Sequence, residues 1–234
     1  MSDVTFFSVL IGAQVVLVLL DVVDRFLPAH EERRADGARP AAIGFVGVVL
    51  VVYFAMQAGL SALLPGPRAV VNRVVAGLGG GAGTASVSGV AVAVLVGLYA
   101  GGLVDYLMHR FVSHSRVLFF THEYHHLPSE VFLLMPGLAA RPFAVVATFP
   151  VVVGTALAAY GTLAVLGEPR ADPTPMQLLL IAHVLLLVTS HSSFLRRFRG
   201  VHRVISVLGL TTAREHLLHH TTDLKGNFAN LTTV

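Results

Sequence analysis

The chain has 234 residues, of which 55% are hydrophobic and only 12% charged, whereas about a quarter of an ordinary soluble domain is charged. Together with a mean hydropathy of +0.76, this excludes a water-soluble globule, a disordered chain and a coiled coil. There is no cysteine, so any metal must be bound by nitrogen and oxygen ligands. We predict an all-α, polytopic membrane protein that forms a single membrane domain over residues 1–234.

Five apolar segments of membrane-spanning length follow one another along the chain. They are roughly Val4–Leu20, Ala41–Leu64, a stretch between Ala85 and Met108, Phe143–Gly167 and Met176–Ser190. Because no basic residue precedes the first segment, we interpret it as a retained span and not as a secretory signal. We divide the domain into N-terminal spans, residues 1–84, and a histidine-rich region, residues 85–234, that we expect to be catalytic.

The basic residues predict the orientation of these spans. With five spans, thirteen of the sixteen basic residues fall on one side, and only Arg68, Arg73 and Arg170 fall on the other. Since cytoplasmic loops are enriched in lysine and arginine, the histidine-rich segments and the C-terminus are predicted to be cytoplasmic and the N-terminus to lie on the opposite side. Orientation and anionic lipid headgroups account for the basic residues, so we expect no nucleic-acid partner.

Most of the twelve histidines are clustered. One pair follows the third span, and two later groups share the pattern HxxHH, whose offsets of three and four residues place three imidazoles on one stripe of a helix. The three groups are His109 and His114; His122, His125 and His126; and His216, His219 and His220. Eight nitrogen ligands exceed what one four-coordinate zinc needs and suit two adjacent metals.

The first pair has an unusual spacing. On a straight α-helix, His109 and His114 would point about 140° apart, so the helix must end, bend or bulge near His114 if both rings face one site. Asp105 lies four residues before His109, on the same helical face, where its carboxylate could hold the other ring nitrogen.

Four histidines lie outside these groups. We predict His191, at the end of the fifth span, as a ninth ligand. His183 lies within that span, where helix packing through a hydrogen-bonded imidazole and metal ligation are equally good interpretations. His30 and His202 lie in charged segments, and we interpret them as interfacial.

The three groups resemble the signature of the fatty acid hydroxylase and sterol desaturase superfamily, which is HX3–4H, then HXXHH, then a final HXXHH. Arg141-Pro142 after the second group and Asn227-Phe228-Ala229-Asn230 after the third agree with it, and the resemblance covers about Gly101–Val234. The chain departs from the family in having no tryptophan, where members usually continue with a Trp-Asp-Arg-Leu-Phe-Gly-like segment. Either the sequence is truncated or this member lacks that closing element.

The resemblance implies a membrane-bound non-haem di-iron oxygenase. Its cofactors would be two iron ions and dioxygen, with electrons from a separate reductase or carrier protein, and zinc could replace iron in a purified sample. Asp105 and Asn227 would support the ligands. The substrate would be a fatty acyl, sterol-like or isoprenoid lipid, and the outcome would be hydroxylation or desaturation of a C–H bond, between which the sequence does not decide.

Two other functions fit parts of the pattern. His122, Glu123 and His126 form an HExxH motif, which is typical of a zinc metalloprotease with glutamate as the general base. That interpretation leaves the other two histidine groups without a role. A metal or proton transporter would need polar residues deep within several spans, whereas the clusters lie at the ends of the spans.

Overall fold

The computed structural model describes residues 3–24, 26–28, 67–79, 81–119, 144–221, 228 and 231–232. Within these ranges the regular structure is helical, and an isolated antiparallel bridge joins Leu210 to Thr232. In chain order the elements are α1 (Asp3–Asp24), α2 (Pro67–Gly77), α3 (Val87–Leu107), a π-helix (Met108–Ser113), α4 (Ala144–Val165), α5 (Thr174–His191), a 3₁₀ turn (Leu195–Arg197), α6 (Arg199–Val207) and α7 (Ala213–Thr221). The predicted all-α class is confirmed for this part of the chain.

Four of the five predicted spans coincide with helices, namely α1, α3, α4 and α5, and the second, Ala41–Leu64, lies outside the described residues. Two described helices are long and apolar enough to cross a bilayer, Val87–Ser113 and Thr174–His191, and Phe149–Val165 within α4 is a shorter apolar helix. These helices support a membrane protein. The number of five spans and their orientation stay predictions.

Small residues let the central helix α3 pack closely against α4 and α5. A Cβ atom added at Gly97 would lie 2.7 Å from Leu179 of α5, and one added at Gly101 would collide with the hydroxyl of Thr155 in α4. Ala159 of α4 is fully buried in the same core. Such small-residue contacts are typical of helices that pack within membranes, where van der Waals contact and not water exclusion drives association.

Hydrogen bonds from the α4–α5 loop fix the start of α3. The Ser86 hydroxyl caps the helix by accepting from the Gly89 N–H at 3.0 Å, as N-cap serines do. The Glu168 carboxylate accepts from both the N–H and the hydroxyl of Ser86. Asp172 accepts from the N–H of Ala85 at 3.2 Å and that of Thr174 at 2.9 Å. These contacts hold the α4–α5 loop against the start of α3 at one end of the helices. The histidine groups lie at the opposite end of α3 and α5.

Candidate metal centre

The π-helix resolves the awkward spacing of the first histidine pair. Met108–Ser113 continues α3 with a wider turn, in which the N–H of His114 donates to the carbonyl of His109 at 3.1 Å. This bond spans five residues, the defining pattern of a π-turn, which is often found at functional sites. It brings the Nε2 atoms of His109 and His114 to 3.3 Å. The predicted irregularity near His114 is therefore confirmed.

A third imidazole comes from α7, more than a hundred residues later. The Nε2 atom of His219 lies 3.1 Å from that of His114, and one ring nitrogen each of His109, His114 and His219 lies within 4.8 Å of the other two. Two nitrogen ligands at about 2.0–2.1 Å from one tetrahedral ion are about 3.4 Å apart. The spacings of 3.3 Å between His109 and His114 and 3.1 Å between His114 and His219 therefore fit neighbouring ligands of one metal ion.

Two further rings extend this group towards α5. The ring of His216 lies with its centre 4.2 Å from that of His191 and 5.7 Å from that of His219. His109 is the next neighbour, with its ring centre 6.2 Å from that of His216. Five of the nine predicted ligands thus form one continuous group of rings, which we call the histidine cluster: His109, His114, His191, His216 and His219.

The ring of His191 is oriented by its own helix. Its Nδ1 lies 2.8 Å from the carbonyl oxygen of Leu187, and because a carbonyl can only accept, Nδ1 carries the hydrogen. The neutral ring therefore has its free electron pair on Nε2. A backbone carbonyl that fixes the tautomer in this way is typical of histidines that bind metals.

Four of the five rings in the histidine cluster are buried, and the fifth, His114, is half-buried. His109 is 3% exposed, His216 1% and His219 0%. Burial, and secondly the charge of His219, lower the pKa of His114 to about 4. A neutral imidazole is the form that binds a metal, so His114 is ready to act as a ligand at neutral pH.

A capping box places the histidines of α7. The Thr212 N–H donates to the Glu215 carboxylate at 2.9 Å, and the Glu215 N–H lies 3.3 Å from the Thr212 hydroxyl, which accepts from it. This reciprocal pair is the T-x-x-E signature of a helix start. It sets His216 on the first turn of α7 and His219 one turn further on. The signature is readable in the sequence, but it was not among the predicted features.

A carboxylate of α1 holds the turn that follows His191. Asp21 is fully buried, and it accepts from the Ser192 hydroxyl at 2.6 Å and from the Phe194 N–H at 3.1 Å. One turn later, Asp24 forms an ion pair with Arg197. The sequence indicates these acidic residues only as the end of a span, because nothing local to them points to a partner so far along the chain.

Phe228 closes the histidine cluster on another side. Its ring centre lies 4.9 Å from that of His114, 5.0 Å from that of His219 and 5.9 Å from that of His109. The side chain is 7% exposed, and the guanidinium of Arg110 lies 5.7 Å from the ring centre. The Asn227-Phe228-Ala229-Asn230 stretch indicated this region, but the aromatic residue itself was not predicted.

The remaining predicted residues have other outcomes. Asp105 lies on the last turn of α3 and is half-buried, and its support of His109 stays a prediction. His183 is half-buried within α5, and His202, interpreted from the sequence as interfacial, is 7% exposed in α6. His30, His122, His125, His126 and Asn227 lie outside the described residues, as does the side chain of His220 in α7.

Comparison with known families agrees with this arrangement. Residues 94–234, more than half of the chain, match the family model described as fatty acid hydroxylase. No curated protein and no solved structure gives a significant match. The matched region contains every residue of the histidine cluster.

Proposed function

The chain belongs to the fatty acid hydroxylase family, and from that premise we propose that it is a membrane-bound oxidoreductase that oxidises a lipid C–H bond at a histidine-bound di-iron centre. The family comprises hydroxylase and desaturase oxygenases, which supports an enzyme. The proposal rests above all on the three ring nitrogens of His109, His114 and His219, which lie within 4.8 Å of one another. Two separate elements contribute them, so their convergence is a property of the fold.

The proposed ligand set offers enough nitrogen atoms for two ions. His109, His114 and His219 offer three nitrogens to one, and the neighbouring rings of His191 and His216 would contribute to a second. We propose that His122, His125, His126 and His220 complete the set. Iron bound there would supply the activation of dioxygen, with electrons from a separate reductase or carrier protein.

The protein's own residues would hold these ligands and keep water out. The π-turn aligns His109 with His114, the Leu187 carbonyl leaves Nε2 of His191 free to bind, and Phe228 covers three of the rings. We propose Asp105 and Asn227 as supports of the ligands. A dry, pre-arranged site favours a reactive oxidant because it excludes competing reactions with water.

A lipid substrate suits the position of the histidine cluster. The cluster lies where two long apolar helices end, Val87–Ser113 and Thr174–His191, so a chain that enters from the bilayer would reach it. We propose a fatty acyl, sterol-like or isoprenoid substrate and either hydroxylation or desaturation as the outcome. The excess of basic residues on one side of the predicted spans supports a cytoplasmic site and C-terminus and an N-terminus on the opposite side.

The histidine cluster also weighs against the metalloprotease. A protease built on His122, Glu123 and His126 would not need His109, His114 and His219, yet these three converge from α7 and the π-helix. A transporter would need polar groups along a path through the bilayer, whereas the five rings are gathered at one end of the helices.

Metal content per chain tests the proposal. The protein should be purified without oxygen from iron-supplemented cells and compared with His219→Ala and His125→Ala, with His30→Ala as the control outside the three groups. We expect about two metals per chain, lost in both variants and kept in the control. The intact protein, given a reductant and labelled dioxygen, should convert a lipid from a mixed extract. One zinc that survives His219→Ala would favour the metalloprotease.

A further inference from the structure

Helix α6, between α5 and the ligand helix α7, has three distinct faces. Its buried side carries His202, which is 7% exposed. A second side carries Val201 and Val204, which are 42% and 63% exposed. Arg199 and Arg203, also exposed, lie about 150° around the helix from this pair of valines. The helix therefore presents an apolar stripe and a basic stripe on nearly opposite sides.

The apolar stripe continues to Leu208, just past the end of the helix, which is 55% exposed. Phe198 just before the helix is 43% exposed, and Val207, the last helical residue, is 82% exposed between the apolar and the basic stripe. Contiguous exposed apolar surface of this kind marks contact with a membrane or another molecule. The stripe is too regular to be scattered surface residues, because Val201, Val204 and Leu208 follow the three- and four-residue steps of one helical face.

A hydrogen bond fixes the height of α6 against the bundle. The hydroxyl of Tyr99 in α3 donates to the carbonyl of Leu208. Tyr99 lies eight residues before the end of α3, which is about 12 Å along the axis. Leu95 and Leu103, one turn to either side of it, are 57% and 43% exposed, as expected for a helix that faces lipid. The end of α6 thus lies beside the apolar part of a predicted span.

We propose that α6 is an in-plane interfacial helix whose partner is the lipid bilayer itself. Its valine stripe would lie among the upper acyl chains, about 5–10 Å below the headgroups, and Arg199 and Arg203 would reach lipid phosphates and water. The opposed stripes fit this boundary, which is apolar on one side and anionic on the other. A second copy docked through its own α6 would match the valines, but this helix carries no acidic residue to pair with the arginines.

The bilayer would then set the position of ligands to the metal. Ser206 of α6 donates to Glu215 at 3.0 Å, and Glu215 belongs to the capping box that starts α7. The Leu210–Thr232 bridge lies between the two helices. The lipid surface that holds α6 would therefore determine the height at which α7 presents His216 and His219.

The absence of tryptophan from the chain allows a direct test. Val204→Trp introduces a single fluorescent reporter on the apolar stripe, and Arg203→Trp places one on the basic stripe one residue away. Both full-length variants are placed in vesicles of phosphatidylcholine and phosphatidylglycerol, with lipids brominated near the glycerol end of the acyl chains as quenchers. We expect about a twofold loss of emission or more for Val204→Trp and little for Arg203→Trp, because bromine quenches only on contact within the acyl layer.

Three results would overturn the proposal. They are equal quenching of both variants, strong quenching of Val204→Trp by aqueous iodide in place of brominated lipid, and emission that changes when the vesicles are diluted with lipid, which would indicate a second copy. Monodisperse elution and unchanged helical content check that the variants fold. Val204→Cys repeats the measurement with a side chain closer in size to valine. Because the chain has no other cysteine, a polarity-sensitive dye labels this position alone. The test does not depend on metal or activity.

Discussion

The N–H of His114 donates to the carbonyl of His109, five residues earlier, at 3.1 Å. This one bond widens the helix enough to place the two Nε2 atoms 3.3 Å apart. A regular α-helix brings two rings to one face with a spacing of three or four, because these residues turn the chain by about 300° or 400°. With a spacing of five, the two rings meet because of the π-turn.

Changing the spacing tests this relationship. Deletion of Phe111, which is 61% exposed, leaves His109 and His114 four residues apart, so an ordinary α-helix aligns them to within about 40°. We expect metal content within about twofold of the parent, since a ligand pair at i and i+4 suits a metal site. Insertion of one alanine after Phe111 places the rings about 120° apart on a regular helix and should abolish loading. Equal loss in both variants would show that the turn has no such role.

Two histidines of α5 form a matched comparison. His191 belongs to the histidine cluster, whereas His183 lies eight residues earlier, about 12 Å away along the axis. We expect His191→Gln to weaken metal retention by more than the roughly 10- to 100-fold that loss of an outer partner costs, and His183→Gln to leave it unchanged. Metal retention is measured as the concentration of a competing chelator that removes half of the bound metal. A comparable loss in His183→Gln would assign that residue to the site.

Replacing Asp21 tests how the turn after His191 is held. Asp21→Leu removes the acceptor of the Ser193 and Phe194 N–H groups, which at about 1–3 kcal/mol each should lower the free energy of unfolding by about 2–6 kcal/mol. Asp21→Asn keeps one oxygen and should lose about half as much. Chemical denaturation in detergent measures both. Identical losses would mean that the carboxylate oxygens contribute nothing beyond packing.

Phe228 is expected to slow the loss of metal. Its ring covers His109, His114 and His219, so Phe228→Ala should open a cavity that costs about 3–5 kcal/mol and admits water. We expect metal transfer to a chelator to be about tenfold faster or more, with Phe228→Leu intermediate. Phe26→Ala, at a side chain that is 77% exposed, is the control. An unchanged transfer rate would show that Phe228 does not seal the site.

Glu168 should make the stability of the protein depend on pH. Its carboxylate holds the start of α3, at the end of the helices opposite the histidine cluster. Hydrogen bonds from the hydroxyl and N–H of Ser86 lower the pKa of Glu168 below its ordinary value of 4.5. A carboxyl group with a lowered pKa stabilises the fold above that ordinary value, and this contribution is lost as the pH falls through its pKa in the folded protein. We expect the melting temperature of Glu168→Gln to change less than that of the parent between about pH 6 and pH 3. Parallel curves would contradict this assignment.

Local patterns in the sequence predicted much of the site. Hydropathy indicated α1, α3, α4 and α5 to within a few residues, and the HxxHH spacing indicated that His216 and His219 share a face of one helix. The incompatible spacing of His109 and His114 predicted an irregular turn there. These features depend on residues within two helical turns of one another, and such short-range geometry can be read from the order of the residues.

Contacts between distant segments could not be predicted in this way. Asp21 pairs with Ser192 and Asp24 with Arg197, and a charge at the end of a span carries no signal of which later loop it meets. The sequence around Phe228 likewise carries no signal that this aromatic ring contacts His109, His114 and His219 and not some other segment. His202 lies in a basic segment that indicates an interfacial position, yet its own ring faces inwards while its neighbours are exposed, because a helix presents different faces within one turn.

The bond between Asp21 and Ser192 joins residues 171 positions apart, and this separation has a consequence for biosynthesis. The ribosome makes α1 first, and its buried carboxylate has no partner until the turn after His191 has been translated. Contacts of such long range form late, since most of the chain must be present before they can close. The turn that follows His191 should therefore be held in place only when the protein is nearly complete, and metal loading should follow translation instead of accompanying it.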